Sequence, residues 1–433
     1  MVTAVSGTHR IPEPAAILYI AMTVMIMAYS QLFNVVPILI FLVLWLRHFY
    51  YKGAITVNLS AGAVWSLLLP LLCCYSVFWS DYPVKTLYTS LEFLSMILCT
   101  LIMSRTVLTA AWAKGLTLGI AAVLITTLIN GTYSEDYLSK TRALVGLFGS
   151  KNEVGFFAEV GAFIALALLF SKIRLWHKVV FSAFPLAVCA YCLRLCDSAT
   201  SVVSLVALLA MTLAVFLVTC LPRRFRMPAL VLGVVTVAAA IVGITSMHLN
   251  IVDGLLQVLG KSPTLTGRTY LWSEGLKNGM ETPVLGHGYA AFWVQGRAEA
   301  ERYWREFYID EQAGFHFHSL YVQTFVDLGA LGFVLVAVLM LVCCYFSLRV
   351  ILERGFALEP AMAFGLSFMF LLRSFVEVDL LGPFGAGPML FFSIVPRLQD
   401  YARRKEPSGG SEAGSLGQQF YFPEEGSVLD QGA

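Results

Sequence analysis

The sequence predicts an all-α, polytopic membrane protein. Hydrophobic residues make up 58% of the 433 positions and charged residues only 13%, which is about half the charged share of a soluble domain. A helix needs roughly 20 apolar residues to cross about 30 Å of hydrocarbon, and about twelve such segments follow one another here. A soluble enzyme is therefore excluded, and one long polar interval, residues 249–317, interrupts the apolar series.

The predicted membrane spans lie on both sides of this interval. Those before it, within residues 15–248, are Ala15–Leu32, Val35–Leu46, Ala61–Trp79, Leu87–Met103, Ala111–Ile129, Val154–Phe170, Val179–Leu193, Ser201–Cys220 and Ala229–Met247. Those after it, within residues 318–397, are Leu320–Leu348, Pro360–Phe375 and Gly385–Pro396. Residues 1–14 form the N-terminal segment. Residues 398–433 are predicted to be a disordered tail, because they contain too few apolar residues to fold alone.

The distribution of Lys and Arg orients these spans. Basic residues accumulate on the cytoplasmic side of short loops, and alternate loops of this chain carry far more of them than the loops between. Both termini are therefore predicted to be cytoplasmic, with residues 249–317 on the outer side. A net charge of +2 gives no reason to expect a nucleic-acid partner.

Cations in the predicted outer loops oppose this charge bias. Arg142 and Lys151 lie on either side of a glycine-containing segment, and Arg268 follows Gly267. Glycines allow the backbone to approach a ligand closely, and several converging cations would suit a phosphate or pyrophosphate. There is no Walker-type or dinucleotide-binding loop, which argues against a nucleotide substrate.

Two further outer cations have acidic neighbours. Arg194 lies near Asp197, and Arg373 lies near Glu377 and Asp379, each at the end of a predicted span. Charges inside or beside a span are costly and commonly functional, but local pairing explains these two equally well. Arg194 and Arg373 are therefore assigned only a supporting role.

The outer loop is predicted to contain two short amphipathic helices. Thr266 can cap a helix that begins near Gly267 and ends before Pro283, which places Arg268 at a helix N-terminus where the dipole favours an anion. Ala298–Ile309 is the second helix, of a kind that often lies flat in the membrane interface. The aromatic residues of this region could stack on sugar rings, although an interfacial belt is favoured; they are Phe292, Trp293, Trp304 and Tyr308.

Two histidines end the loop. His316 and His318 precede the span that starts near Leu320, and a His at a span mouth can transfer protons near neutral pH. A His-x-His pair could also bind a metal, but the sequence offers no evident third ligand at suitable spacing. A purely structural role is the remaining alternative.

With these residues identified, the chain resembles the superfamily of O-antigen ligases and Wzy-type polysaccharide polymerases, and in particular its ExoQ-like exopolysaccharide polymerases. The resemblance covers roughly residues 15–397. It rests on GSKNEVG at residues 149–155, TGRTYLW at 266–272, PVLGHGY at 283–289 and HSLYVQ at 318–323.

The resemblance implies a fold like that of GT-C, lipid-dependent glycosyltransferases, in the bacterial inner membrane with the active loop in the periplasm. It implies transfer of oligosaccharides from polyprenyl pyrophosphate to an acceptor glycan, without a nucleotide donor. A chain-length regulator protein is an implied partner. The essential arginine and histidine of the family correspond to Arg268 and His318, and a further cation corresponds to Arg142 or Lys151.

The sequence therefore predicts that Arg268, with Arg142 or Lys151, stabilises the departing pyrophosphate, and that His318 accepts the acceptor proton. His316 and Tyr289 are assigned supporting roles. No metal or other cofactor is expected, because cations can neutralise pyrophosphate. Two alternatives remain: a ligase that uses lipid A core as acceptor, and a multi-span transporter. The transporter is disfavoured because the ionisable residues gather in the outer loop and not at the bilayer midplane.

Overall fold

The computed structural model describes residues 11–30, 32, 35–51, 61–136, 141–246, 267–309, 312 and 314–403. The helices before the large loop are α1 Glu13–Tyr29, α2 Val35–Tyr51, α3 Ala61–Tyr75, α4 Pro83–Thr106, α5 Thr109–Asn130, α6 Lys151–Phe170, α7 Leu175–Leu195, α8 Ala199–Thr219 and α9 Arg223–Ser246. Those within and after the loop are α10 Arg268–Gly279, α11 Ala298–Glu306, α12 Leu320–Arg354, α13 Leu358–Arg373 and α14 Ala386–Arg403.

The helical membrane architecture predicted from composition is confirmed. Within the described ranges, 6 helices are long and apolar enough to cross a membrane, namely α4 to α8 and α12. Each predicted apolar segment coincides with a helix, but shorter apolar helices such as α1 fall below the length of a full span. The number of spans, the orientation of the termini and the relation to GT-C enzymes stay predictions.

A small β-hairpin departs from the all-α prediction. Strand β1, Tyr133–Asp136, pairs antiparallel with β2, Thr141–Leu144, in the connection between α5 and α6. Arg142 is exposed, whereas Ala143 and Leu144 are both buried, so the second strand does not show the period-two alternation of a half-buried strand. The segment is only a few residues long, too short for any periodicity to stand out beside the long apolar runs.

A kink shapes the start of α12. Gly329 has φ +63° and ψ −161° inside this 35-residue helix. A Cβ at this position would lie 2.3 Å from the Val284 carbonyl oxygen, so only glycine permits the contact. The kink therefore allows the backbone of Val284 and Leu285 to pack directly against α12 at Gly329.

The helices pack so that distant loops meet at one end of the molecule. Helix α13 packs against α8, α12 and α14, α6 packs against α8, and α10 packs against α12. The N-termini of α6, α10, α12 and α14 are thereby brought near the C-terminus of α13. The connection between α13 and α14, residues 374–385, lies at the centre of this arrangement, and we call it the 374–385 loop.

Several predicted boundaries shift. Helix α10 begins at Arg268, with Gly267 as the N-cap residue and no side-chain cap bond; Thr266, predicted to cap it, lies outside the described residues, as do 249–265. Helix α11 ends at Glu306 and not at Ile309. Helix α14 runs to Arg403, past the predicted start of the tail at 398, and residues 404–433 lie outside the described ranges.

Candidate active site

An arginine, a histidine and a glutamate from three separate elements meet at the end of the helix bundle. Arg268 donates from Nη2 to Glu377 Oε1 at 2.7 Å and from Nη1 to the Val376 carbonyl oxygen at 2.7 Å. His318 Nδ1 lies 3.6 Å from Glu377 Oε2. We call Arg268, His318 and Glu377 the catalytic cluster, after the role that the sequence predicts for the arginine and the histidine. The two residues predicted to carry the chemistry are therefore joined by a carboxylate that the sequence did not single out as catalytic.

Glu377 is held as an ionised acceptor. Its side chain is 6% exposed, and Oε1 also accepts a hydrogen bond from Asn152 Nδ2 at 2.9 Å. Burial alone raises the pKa of Glu377, but His318, Arg268 and Arg373 outweigh it and lower the pKa to about 2. The carboxylate is therefore negative throughout the neutral range, and it orients the Arg268 guanidinium while facing the His318 imidazole.

His318 is half-buried and conformationally constrained. Its side chain is 25% exposed, and its φ of +48° lies in the left-handed region that non-glycine residues rarely adopt. Trp272 Nε1 donates to the His318 carbonyl oxygen at 3.3 Å. Such strain persists where the surroundings enforce it and is common at functional sites, so the fold turns this imidazole toward the cluster.

His316 helps to hold the backbone of His318 in this conformation. The His318 backbone N–H donates to His316 Nδ1 at 3.0 Å, and the two rings are 4.3 Å apart. Burial, followed by the neighbouring His318, lowers the pKa of His316 to about 3. His316 is thus a neutral acceptor at pH 7 that orients the backbone of His318.

Buried ionic contacts anchor the 374–385 loop. Arg373, 1% exposed, donates from Nε to Asp379 Oδ2 at 2.6 Å and pairs with Glu159 Oε2 at 3.2 Å. The sequence grouped Arg373 with Glu377 and Asp379; the structure keeps the Asp379 pair but turns the Glu377 side chain to Arg268. Tyr289, also buried, donates from its hydroxyl to the Leu381 carbonyl oxygen. Arg373 and Tyr289 therefore act on the cluster through the loop that carries Glu377.

A second group of a carboxylate, a histidine and an arginine joins the large loop to the connection between α3 and α4. His287 Nδ1 is 2.8 Å from Asp81 Oδ2, and Arg297 Nη1 donates to the same oxygen at 2.9 Å. His287 Nε2 contacts the Asn278 carbonyl oxygen at 3.2 Å, and its side chain is only 4% exposed. We call Asp81, His287 and Arg297 the clamp cluster.

The clamp cluster joins the PVLGHGY motif to its neighbours. The His287 N–H donates to the Val326 carbonyl oxygen at 3.0 Å, and the Asp81 N–H donates to the His287 carbonyl oxygen at 2.9 Å. Gly288 has φ +100°, and a Cβ there would lie 2.3 Å from Ser80 Oγ. The glycines of this motif therefore serve close backbone packing, and His287 is part of the scaffold.

Of the other cations predicted at the site, one lies next to a residue that contacts the catalytic cluster and two do not. Lys151 begins α6, immediately before Asn152, which contacts Glu377. Arg142 is exposed and places its guanidinium 4.5 Å from the centre of the Tyr133 ring. Arg194 is exposed in the last turn of α7. Among the described residues, no hydrogen bond or ion pair joins Arg142 or Arg194 to the catalytic cluster.

The structure supplies the third metal-type ligand that the sequence did not reveal. One ligand atom from each of His316, His318 and Glu377 lies within 4.8 Å of the others. Glu377 Oε1, however, already accepts from both Arg268 and Asn152. The other oxygen, Oε2, faces His318 Nδ1 at 3.6 Å, so these three residues could still hold a cation on that side of the carboxylate.

Sequence reasoning missed Asn152 and the role of Glu377. Both stood in segments already noted, Asn152 inside GSKNEVG and Glu377 beside Arg373. The available signal was an amide and a carboxylate next to cations on the outer side. The contact between Arg268 and Glu377 spans 109 positions of the chain, a separation at which sequence spacing gives no information.

Comparisons with known proteins bear on this site. Residues 186–337 match the family described as O-antigen ligase, and this range includes Arg268 and His318. The chain is also 34% identical over 395 residues to the exopolysaccharide production protein ExoQ of Rhizobium meliloti. That similarity covers 91% of this chain and 90% of the relative.

Proposed function

This chain belongs to the superfamily of O-antigen ligases and ExoQ-like proteins, and from that premise we propose that it is a polysaccharide polymerase. It transfers oligosaccharide repeat units from polyprenyl pyrophosphate to a growing glycan. The reaction takes place at the periplasmic face of the bacterial inner membrane, with both chain termini in the cytoplasm. The observation that supports this most directly is the meeting of Arg268, His318 and Glu377 at the end of the bundle.

Arg268 is the group that receives the negative charge of the leaving pyrophosphate. A guanidinium has five N–H donors, and Glu377 and the Val376 carbonyl oxygen each accept one from a different Nη atom. The remaining donors, held in a fixed direction, are available to phosphate oxygens. Preorganised donors of this kind stabilise charge that develops in a transition state, because they need no reorganisation during the reaction.

His318 is the proton acceptor. The acceptor hydroxyl oxygen forms a bond to the anomeric carbon, the anomeric C–O bond to pyrophosphate breaks with its electron pair leaving on pyrophosphate, and the hydroxyl proton moves to the imidazole. With Nδ1 toward Glu377, Nε2 is the nitrogen that accepts. The negative Glu377 then stabilises the imidazolium, which favours proton transfer.

A second cation completes the pyrophosphate site. Lys151 is the better candidate, since it begins α6 beside Asn152, and Arg142 lies in the preceding hairpin. With arginine and lysine charge present, the chemistry requires no metal. Transfer by protein treated with EDTA should equal that of untreated protein, and a loss restored by Mg²⁺ would contradict this part of the proposal.

The acceptor distinguishes polymerase from ligase. Purified protein in lipid vesicles, given only the polyprenyl-pyrophosphate-linked repeat unit, should produce a ladder of glycans separated by one repeat on a gel. A single product that appears only after addition of lipid A core would establish a ligase instead. No covalent transfer under either condition, with movement of the lipid-linked sugar across the vesicle membrane, would establish a transporter.

A further inference from the structure

A row of aromatic rings leads away from His318. The ring of Phe315 is 5.9 Å from that of His318, Phe307 is 5.3 Å from Phe315, and Tyr270 is 6.3 Å from Phe307 in a stacked arrangement. These residues come from the start of α10, the end of α11 and the segment before α12. We call Tyr270, Phe307 and Phe315 the aromatic track.

The rings of the track are partly exposed, whereas two of the rings that the sequence nominated are buried. Tyr270 is 44% exposed, and Phe307 and Phe315 are half-buried. Phe292 and Trp304, which the sequence offered as sugar-stacking candidates, are buried and cannot present a face to a ligand. Of the other two rings that the sequence nominated, Trp293 is half-buried and Tyr308 is 88% exposed, and neither belongs to the track.

Charged groups border the track. Tyr270 donates from its hydroxyl to Glu306 Oε2 at 2.8 Å, and Arg302 Nε lies 3.8 Å from Glu306 Oε1. Glu306 and Arg302 are both exposed. Aromatic faces beside carboxylate and guanidinium groups match a saccharide, whose C–H faces stack on rings while its hydroxyls exchange hydrogen bonds with the border.

We propose that the aromatic track binds the acceptor glycan, with its sugar rings stacked on Phe315, Phe307 and Tyr270 in order of distance from His318. This inference rests on the proposed function. The track ends beside His318, and if His318 accepts the proton of the acceptor hydroxyl, the molecule on the track is the acceptor glycan. A glycan whose terminal hydroxyl reaches His318 must extend outward, and the track provides the adjoining surface.

The competing occupant is the membrane interface, where aromatic residues also collect. The charged border favours the glycan, since Glu306 and Arg302 lie beside the ring of Tyr270 and its hydroxyl is bonded to a carboxylate. If these rings only anchor the protein in the membrane interface, the KM should be the same for short and long acceptors. If they bind the glycan, the KM should depend on acceptor length.

The test compares acceptors of one and four repeat units, prepared by partial hydrolysis of the polymer that the reconstituted enzyme makes. For wild-type protein, KM should be lower for the longer acceptor. Tyr270→Ala should raise the KM of the four-unit acceptor roughly tenfold, the effect of one lost stacking contact. It should change the KM of the one-unit acceptor little and leave kcat unchanged.

Two variants separate ring stacking from other effects. Tyr270→Phe keeps the ring and removes the bond to Glu306, so it should retain most of the preference for the longer acceptor. Tyr308→Ala removes a ring that is 88% exposed on the same segment but outside the track, and it should behave as wild type.

The outcomes keep the two proposals apart. Equal KM values for both acceptors in wild-type protein, or an unchanged length preference in Tyr270→Ala, would overturn the track while the transfer reaction stood. A loss that is the same for both acceptors, together with weaker retention in vesicles, would assign the rings to the membrane interface. Absence of transfer in wild-type protein would overturn the proposed function itself.

Discussion

The catalytic cluster and the clamp cluster contain the same three chemical groups, yet their surroundings differ. In the clamp cluster both nitrogens of His287 contact an acceptor and the side chain is 4% exposed. In the catalytic cluster His318 is 25% exposed, and its Nδ1 is 3.6 Å from Glu377, too far for a full hydrogen bond. A buried histidine with both nitrogens bonded stabilises a fold, whereas a constrained and incompletely bonded histidine is available for chemistry.

The backbone shows the same contrast. The tight conformation beside His287 is carried by Gly286 and Gly288, for which positive φ has little cost. In the catalytic cluster it is His318 itself, the proposed proton acceptor, that has φ +48°, a conformation unfavourable for a non-glycine residue. Strain therefore lies on the histidine in one cluster and on neighbouring glycines in the other.

The largest effect should come from the arginine of the catalytic cluster. Arg268→Ala removes charge that acts on the leaving pyrophosphate, so the transfer rate should fall roughly a hundredfold or more. Arg268→Lys should be partly defective, because lysine cannot reproduce the paired contacts to Val376 and Glu377. Arg142→Ala, an exposed arginine outside the cluster, is the control and should lose much less. Wild-type rates in Arg268→Ala would remove this residue from the site.

An intermediate effect is expected at Glu377. Glu377→Gln keeps the shape but removes the charge that orients Arg268 and His318, and the transfer rate should fall about tenfold, as is usual for a group that orients catalytic residues. The loss should appear in kcat rather than in the acceptor KM. Asn152→Ala, which removes one hydrogen bond to Glu377, should show a smaller change of the same kind. An unchanged kcat in both variants would show that Glu377 is structural.

Substitutions in the clamp cluster should lower the stability of the fold and leave the transfer rate nearly unchanged. His287→Ala removes a buried ring and its contacts with Asp81 and the Asn278 carbonyl oxygen, and the expected loss is about 2 kcal/mol of unfolding free energy. The thermal midpoint in detergent should fall by several degrees. Transfer per folded molecule should stay within about twofold of wild type, within the spread of substitutions that spare the reacting groups. A normal midpoint with abolished transfer would reverse the assignment of the two clusters.

The smallest effect is a pH dependence of stability. Because the pKa of Glu377 is lowered to about 2 from an ordinary value of 4.5, its ionised form stabilises the folded state above pH 4.5. That contribution is lost as the pH falls toward 2. The difference in thermal midpoint between wild type and Glu377→Gln should be constant from pH 6 to about pH 5 and narrow below about pH 4.5. A difference that is the same at every pH would mean that Glu377 is not ionised in the fold.

Much of the fold could be predicted because membrane helices follow one strong rule, the length of an apolar run. Each predicted span coincides with a helix, and Arg268 and His318 could be found because each lies within a recognisable motif. The β-hairpin could not be predicted, since four-residue strands leave little periodicity.

The partner of the two site residues could not be predicted for a different reason. Glu377 lies four residues after Arg373, the last residue of α13, and local spacing grouped Arg373 with both Glu377 and Asp379. The structure instead gives Arg373 a buried partner in Glu159 on α6, which leaves Glu377 for Arg268. Which carboxylate pairs with which cation depended on helix packing, and helix packing is not encoded in local spacing.

The role of His318 is tested most directly by the polymerisation assay. Wild-type protein and two histidine variants are compared at equal amounts of folded protein. Wild-type protein and His287→Ala should both extend the lipid-linked repeat unit into a ladder, and His318→Ala should give no ladder at an equal level of folded protein. A wild-type ladder from His318→Ala would contradict the claim that this histidine accepts the acceptor proton.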